Sequence, residues 1–402
     1  MPITINGSSG IVGANGSVTF PALTGADIDT GVFFPEANVV AFSTGSVESF
    51  RANANGIFAT ANVNVTNLTA TNLTATNVIP TSSFLRNRII NGDMRIDQRN
   101  AGVEVNPAVT ATYYLDRWQA TSTAASKFKI GQNAGAVTPP TGYTNYLGLT
   151  SLSAYTVGAA ESFGVRQLIE GLNVSDLAWG TASAATVTIS FWVRSSLTGT
   201  FGGSLRNSDG TRSYPFTYTV SVANTWEQKT VTIAGDTSGT WLTTNGIGII
   251  LIFSIGAGST FSGTAGAWAA ANYLSATGAV SVVGTASATF YITGVQLEVG
   301  TVATPFERQI YSNQLAMCQR YYYEQNITIQ NPSVGSALQQ YNFLVTMRAI
   351  PTITNKTVGT LSNISVLNNA GDITTQGFFF QVSISGANGY ITGRVNTVSA
   401  EL

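Results

Sequence analysis

Between residues 62 and 78 the chain reads NVNVT, NLTAT, NLTAT, NV, a five-residue period with Leu68, Leu73 and Val78 at the repeating position and threonine between them. A strand turns every second side chain to one face and a helix repeats every 3.6 residues, so a period of five matches neither. One small apolar side chain per repeat buries little against the roughly 1–2 kcal/mol of backbone entropy that each ordered residue costs. A single copy of this stretch cannot hold a fold. Two outcomes remain: three copies wound about a common axis with those apolar residues inward, or a solvated polar linker. The expectation carried forward is an intertwined trimeric shaft over residues 25–83, so that the first partner of the chain is itself, as a homotrimer. A folded monomer in sedimentation would contradict it.

The composition agrees with a repetitive β-protein. At 402 residues the length suggests two to four domains, and 44% hydrophobic content suffices for true cores. Only 9% of residues are charged, 18 basic against 19 acidic, and histidine is absent. A net charge of −1 leaves no basic footprint for nucleic acid or an anionic membrane. The 41 glycines, with abundant Thr, Val and Ile, favour strands and turns over helices. Cys318 is the only cysteine, which excludes an intrachain disulfide and a cysteine-built zinc site. The opening MPITINGSSG has neither a basic nor an apolar leader region, and the longest apolar run, Gly248 to Ile255, is too short to span a bilayer. The expectation is a soluble protein with no membrane insertion.

Read in order, residues 1–24 form short glycine-separated strands that need a partner, and are assigned to attachment. Residues 25–58 give an acidic turn and three strand-length runs at Val32–Phe34, Val39–Ser43 and Ser46–Ala52. Residues 84–100, FLRNRIINGDMRIDQRN, concentrate Arg86, Arg88, Asp93, Arg95, Asp97 and Arg99 in an otherwise ion-poor chain and read as a collar, its arginines either binding anionic lipopolysaccharide or, the favoured reading, pairing with Asp93 and Asp97 of the same or a neighbouring subunit. Residues 101–311 hold strand runs at 165–172, 186–195, 212–220, 226–233, 246–255 and 288–299, a spacing that suggests a jelly-roll-like β-sandwich. Within 186–195, Val187, Ile189, Phe191 and Val193 share the face expected to be buried, with Thr188, Ser190, Trp192 and Arg194 opposite. Residues 312–402 give one short helix, capped by Ser312 and burying Cys318, then a smaller C-terminal β domain. The expected class is therefore mainly β.

The ordered segments NRIINGDMRIDQR, LDRW, RQLIEG, SFWVRSS, GVQLEVG, ATPFER, LAMCQRYY, VTMRAIPT and SAEL, with a repeat-rich N-terminus before them, resemble bacteriophage tail fibre proteins, cyanophage ones especially. The Asp-Arg-Trp at 116–118 and the SFWV and GVQLE strands are more weakly similar to jelly-roll carbohydrate-binding modules. The resemblance implies a homotrimeric fibre in the virion, extracellular once released, joined to phage tail or virion proteins through its N-terminus and meeting a host surface glycan with its head.

Catalytic signals are sparse. Without histidine no Ser-His-Asp or Cys-His site can be built, and no phosphate-cradling glycine motif stands between a strand and a helix. Glu161, Glu170, Asp176, Asp209, Glu227, Asp236 and Glu298 could supply a glycosidase pair, but none forms a recognisable one. The expectation is no enzyme and no cofactor. Aromatic side chains stack on the C–H faces of sugars, which singles out Trp192, Arg194, Tyr214, Trp241 and Trp268. Each is weighed against a purely structural role, since tryptophan is commonly buried. Trp118 and Trp226 are read as structural. Asp27, Asp29 and Asp236 could face calcium, though such clusters more commonly cap turns, and no metal site is assigned. The function read here is a trimeric host-surface adhesin without catalysis; the alternative is a structural virion protein that contacts other virion proteins.

Overall fold

The structure, a computed structural model, describes residues 4–6, 10–12, 15–59 and 86–402. The repeats at 62–78 lie outside the described residues; of the shaft expected over 25–83, residues 25–59 are described and form an antiparallel meander within the one chain, with no intertwining shown. The chain divides into two units, Met1–Val78 and Ile79–Leu402.

In the first unit, β1 (Thr4–Asn6) and β2 (Gly10–Val12) form a hairpin. A five-stranded antiparallel meander follows: β3 (Leu23–Thr24), β4 (Gly31–Phe33), β5 (Val40–Thr44), β6 (Val47–Asn53) and β7 (Gly56–Ala59). β4, β5 and β6 match the three strand runs read from the sequence, and β7 adds a strand that was not read there. This sheet buries Phe33, Val39 and Ala41, yet leaves Phe20, Leu23, Ile28, Val47, Ile57 and Phe58 exposed.

The second unit is built on a sandwich of two antiparallel sheets. Its strands are β8 (Thr112–Leu115), β9 (Trp118–Ser122), β10 (Phe128–Gln132), β11 (Leu147–Ser151), β12 (Ser162–Glu170), β13 (Val187–Ser195), β14 (Gly199–Arg206), β15 (Ser213–Val220), β16 (Glu227–Ile233), β17 (Ile247–Ala257) and β20 (Thr289–Val299), with the short parallel pair β18 (Ser262–Gly263) and β19 (Ser275–Ala276) in a crossing loop. One sheet runs β10-β11-β20-β13-β16, the other β15-β14-β17-β12-β9-β8. Alternation explains the layering: Val187, Ile189, Phe191 and Val193 all lie at zero exposure between the sheets, against Phe201, Phe216, Phe253 and Trp118. Thr188 and Ser190, expected outward, are buried as well. The loop before β11 roofs the outer face of the five-stranded sheet, where Thr293 Oγ1 donates to the Asn145 carbonyl at 2.7 Å and Trp226 Nε1 to that of Thr138 at 2.8 Å.

Residues 86–100 are stitched into this sandwich. Arg88 N donates to Leu297 O, Val295 N to Gly92 O, and Trp118 Nε1 to Asn91 O. Gly92 is required by close approach, because a Cβ there would stand 2.2 Å from Val295 O. Of the arginine pairings expected here only Arg95 with Asp93, at 2.6 Å, is formed. Arg88 instead reaches Asp176 and Arg99 reaches Glu401. Asp97 accepts the backbone N–H groups of Arg99, Asn100 and Gly102, a turn cap rather than an ion-pair partner.

After the sandwich come α1 (Tyr311–Gln319) and a smaller sandwich: β21 (Tyr322–Asn331), β22 (Gly335–Asn342), β23 (Thr352–Thr357), β24 (Thr360–Ser362), β25 (Ile364–Gly371), β26 (Gly377–Ile384) and β27 (Gly389–Ser399). Ile327, Phe378, Phe380 and Ile391 form its core. Cys318 is buried as expected, but Ser312 is not the cap: the helix starts one residue earlier, and the Ile310 carbonyl accepts from the Asn313 and Gln314 N–H groups. This end is locked to the large sandwich by charge. Arg320 and Tyr321 both donate to Glu170, and Arg99 and Arg117 both pair with Glu401.

Asp116, beside this junction, accepts from Gln98 N and Nε2, both at 2.7 Å. Burial pushes its carboxyl up from 3.8 to about 6, against the opposing pull of Arg99 and the Gln98 donors. A raised value means the folded protein holds this proton more tightly than the unfolded chain. Its contribution to stability is full below about pH 4 and is lost as pH rises through about 6. A displacement of this size corresponds to about 3 kcal/mol. Between those limits the unfolding free energy of the native chain is expected to fall by about 3 kcal/mol more than that of Asp116→Asn, measured by urea denaturation across pH.

Candidate functional site

Three of the five residues singled out from the sequence meet at one edge of the large sandwich. Tyr214 sits on β15 with its ring toward the inter-sheet side, since it stands two and four residues before the core residues Phe216 and Tyr218 and so shares their face. Trp241 lies in the loop between β16 and β17, and Trp268 in the loop that carries β18 and β19. Trp179, which the sequence reading passed over, completes the group. Its rings are edge-on to Trp241 at 4.7 Å and to Trp268 at 5.3 Å. Trp241 and Trp268 stand 5.4 Å apart, and Tyr214 meets Trp268 at 5.2 Å. Edge-to-face geometry of this kind is the favoured arrangement of aromatic quadrupoles.

Each indole N–H in the cluster is already held by a backbone carbonyl. Trp179 Nε1 donates to Ala185 O at 2.8 Å, Trp241 Nε1 to Ser238 O at 3.1 Å, and Trp268 Nε1 to Ala234 O at 2.8 Å. The rings are therefore fixed in orientation, and what they offer a ligand is apolar face. Trp179 is buried, whereas Trp241, Trp268 and Tyr214 are half-buried. A shallow recess of about 10 Å³, room for one water, lies against Trp179 and Trp241, with Ser175, Thr243, Val174 and Leu242 in its wall.

The loop that presents Trp241 is pinned by an ion pair. Arg212 Nε and Nη2 each donate to Asp236 at 2.7 Å, and Asp236 Oδ1 also accepts the Ser238 N–H at 3.1 Å. Gly239, at φ +80°, has to be glycine on two counts, since a Cβ would also lie 2.4 Å from the Arg212 side chain. Asp209 is held by the Thr211 N–H and hydroxyl, which lower its pKa. Asp236 thus acts as an arginine partner and turn cap. Asp27 and Asp29 likewise accept from Asp29 N and Ser46 Oγ. Among the described residues no cluster of three or more metal-ligating side chains is present.

Trp192 and Arg194 lie elsewhere, on the outer face of the five-stranded sheet. Trp192 sits beneath the roof loop, half-buried, against Tyr143. Burial raises the Tyr143 phenol, while the Arg308 charge and a hydrogen bond from Trp192 oppose the rise. Arg194 Nε donates to Asn224 O at 2.9 Å, and its guanidinium lies 5.4 Å from the centre of the Tyr291 ring. Trp118 is fully buried, as expected of a structural residue. Of the carboxylates weighed for catalysis, Glu161 accepts from Tyr155, Glu170 from Arg320, Asp176 from Arg88, Glu227 from Lys229 and Glu298 from Thr304.

Comparison with known proteins gives little sequence-level kinship. No family model matches the chain, and no curated protein matches it. Among solved structures it is similar to the enzymatically active domain of tailspike protein 4 of bacteriophage CBA120, at 11% identity and a TM-score of 0.29, over 53% of this chain and 21% of that one. It is also similar to the xylan-binding CBM22-1 domain of Paenibacillus barcinonensis Xyn10C (12% identity, TM-score 0.24, 51% of this chain and 99% of that one). The third is a family 11 carbohydrate-binding module of Clostridium thermocellum (13% identity, TM-score 0.24, 50% of this chain and 97% of that one). The chain thus spans about a fifth of the tailspike domain. Similarities at this level carry no argument about function, which rests on the geometry above.

Proposed function

We propose that this chain is a bacteriophage tail fibre, a homotrimeric adhesin whose sandwich head binds a host-surface glycan without turning it over. The observation that supports glycan binding is the aromatic edge: fixed rings with their N–H groups already engaged, beside a shallow recess edged by hydroxyls. A pyranose presents an apolar C–H face to such rings and its hydroxyls to the rim. The meander of the first unit supports assembly, because a sheet with Phe20, Ile28, Ile57 and Phe58 exposed gains by covering them with identical copies. Three heads on one fibre multiply a weak contact through effective concentration.

The test is glycan binding and infection blocking with the same preparation. Trp241→Ala is expected to weaken binding to host polysaccharide at least tenfold, about 1.4 kcal/mol, while Trp241→Phe retains part of it. Soluble native protein should block phage attachment, and the alanine variant should not. Equal binding by both variants and the native chain would remove the aromatic edge from the site. Failure of the native protein to block attachment would favour a scaffolding part of the virion.

A further inference from the structure

Two half-buried arginines on the outer face of the six-stranded sheet have no counter-ion among the described residues. Arg166 on β12 alternates with the core residues Val165 and Ile169, and Arg206 on β14 follows the core residue Leu205, so both point to the outer face of the six-stranded sheet. The register places them close. Arg166 is opposite Ile252 of the intervening strand β17, and Arg206 is opposite Ile250 two residues along. Leu168, Ile250 and Ile252 fill the face between them, buried beneath Leu274 and Leu402.

Three other arginines withdrawn from water face carboxylates: Arg117 has Glu401, Arg212 has Asp236 and Arg320 has Glu170. Arg166 and Arg206 have only amides. Arg166 Nε donates to Gln119 Oε1 at 2.8 Å, Arg206 Nη1 donates to Asn272 Oδ1, and Arg206 Nε is buried without an acceptor. Asp209, the carboxylate that acts on Arg206, forms no ion pair with it and is held by Thr211. Burial lowers the pKa of both arginines, that of Arg206 to about 10, where the Arg166 charge adds to the effect. Both remain cationic at neutral pH, and their mutual repulsion in a poorly solvated face is relieved by an anion. Beside Arg166 lies a water-sized recess of about 20 Å³ whose wall includes Thr121, Ser162, Ser254 and the apolar Ile252 and Leu274. An anionic group is matched by guanidinium donors, and the hydroxyls at the recess suit the hydroxyls of a sugar.

We propose that this face binds the acidic group of a charged saccharide, a uronate carboxylate or a sulfate ester, held by Arg166 and Arg206 at the mouth of the recess edged by Thr121, Ser162 and Ser254. The proposal rests on the glycan reading above and names the class of glycan, on the outer face of the sheet whose inner side carries Tyr214.

The experiment is calorimetric titration of the full chain with galacturonate hexasaccharide, sulfated galactose hexasaccharide and neutral galactose hexasaccharide. At least one charged oligosaccharide is expected to bind tenfold or more tightly than the neutral one. Arg166→Gln and Arg206→Gln should each abolish most of that preference, and Arg206→Lys should keep a part of it. Because the substitutions remove uncompensated charge, the thermal midpoints of these variants should equal or exceed that of the native chain, which separates lost binding from lost fold. Equal affinity for charged and neutral sugars overturns this proposal and leaves the glycan reading standing, as does a charge preference that survives in the double Gln variant. Binding of none of the three sugars, with the blocking assay above also negative, overturns both.

Discussion

Replacing Glu401 with alanine is expected to destabilise the second unit by about 3–5 kcal/mol, the cost of leaving buried charge without its partner. Glu401 closes two ion pairs, to Arg99 and to Arg117. Arg117 is 1% exposed, and its guanidinium is stacked 3.6 Å from the Tyr321 ring centre while Nη2 donates to Leu168 O at 2.6 Å. Arg99 lies as close over Tyr322, at 3.6 Å. Without the carboxylate, both cations stay where packing has fixed them and face each other's field. The C-terminal residues also accept from Arg348 at the Ala400 and Glu401 carbonyls, so the tail would lose its charge anchor while keeping backbone ones. Urea denaturation is the measurement. A change under about 1 kcal/mol would show that water reaches these arginines and that the pair is a surface one. Glu401→Gln, which preserves shape and removes charge, should give most of the loss.

Asp236→Ala is expected to cost a similar 3–5 kcal/mol and, unlike Glu401→Ala, to disable the aromatic edge. Asp236 is 1% exposed and receives both Arg212 donors as well as the Ser238 N–H. The same turn supplies the Ser238 carbonyl that holds Trp241 Nε1 and the Ala234 carbonyl that holds Trp268 Nε1. Its loss therefore releases two rings together. Tryptophan fluorescence should shift to longer wavelength and glycan affinity should fall at least as far as in Trp241→Ala. Unchanged fluorescence with lowered stability would mean that the turn keeps its shape without the ion pair.

The sequence alone determined the mainly β class, the positions of six strands of the large sandwich, the burial of the Val187–Val193 face and the short helix with Cys318 inside. These follow from period-two alternation, turn residues and spacing, which are local properties. Strands such as β14, with TFGGS at its centre, were not legible, because glycine gives no alternation and the strand exists through its neighbours β15 and β17. The ionic residues of 86–100 looked like a self-contained collar; only the tertiary structure sends Arg88 to Asp176 and Arg99 to Glu401, 302 residues away. Likewise Tyr214, Trp241 and Trp268 were individually visible, while their meeting with Trp179 depended on three loops converging at one edge. The uncompensated state of Arg166 and Arg206 could not be read from sequence at all. Whether a charge has a partner is decided by which strands become neighbours, and in an antiparallel sandwich those neighbours come from distant parts of the chain.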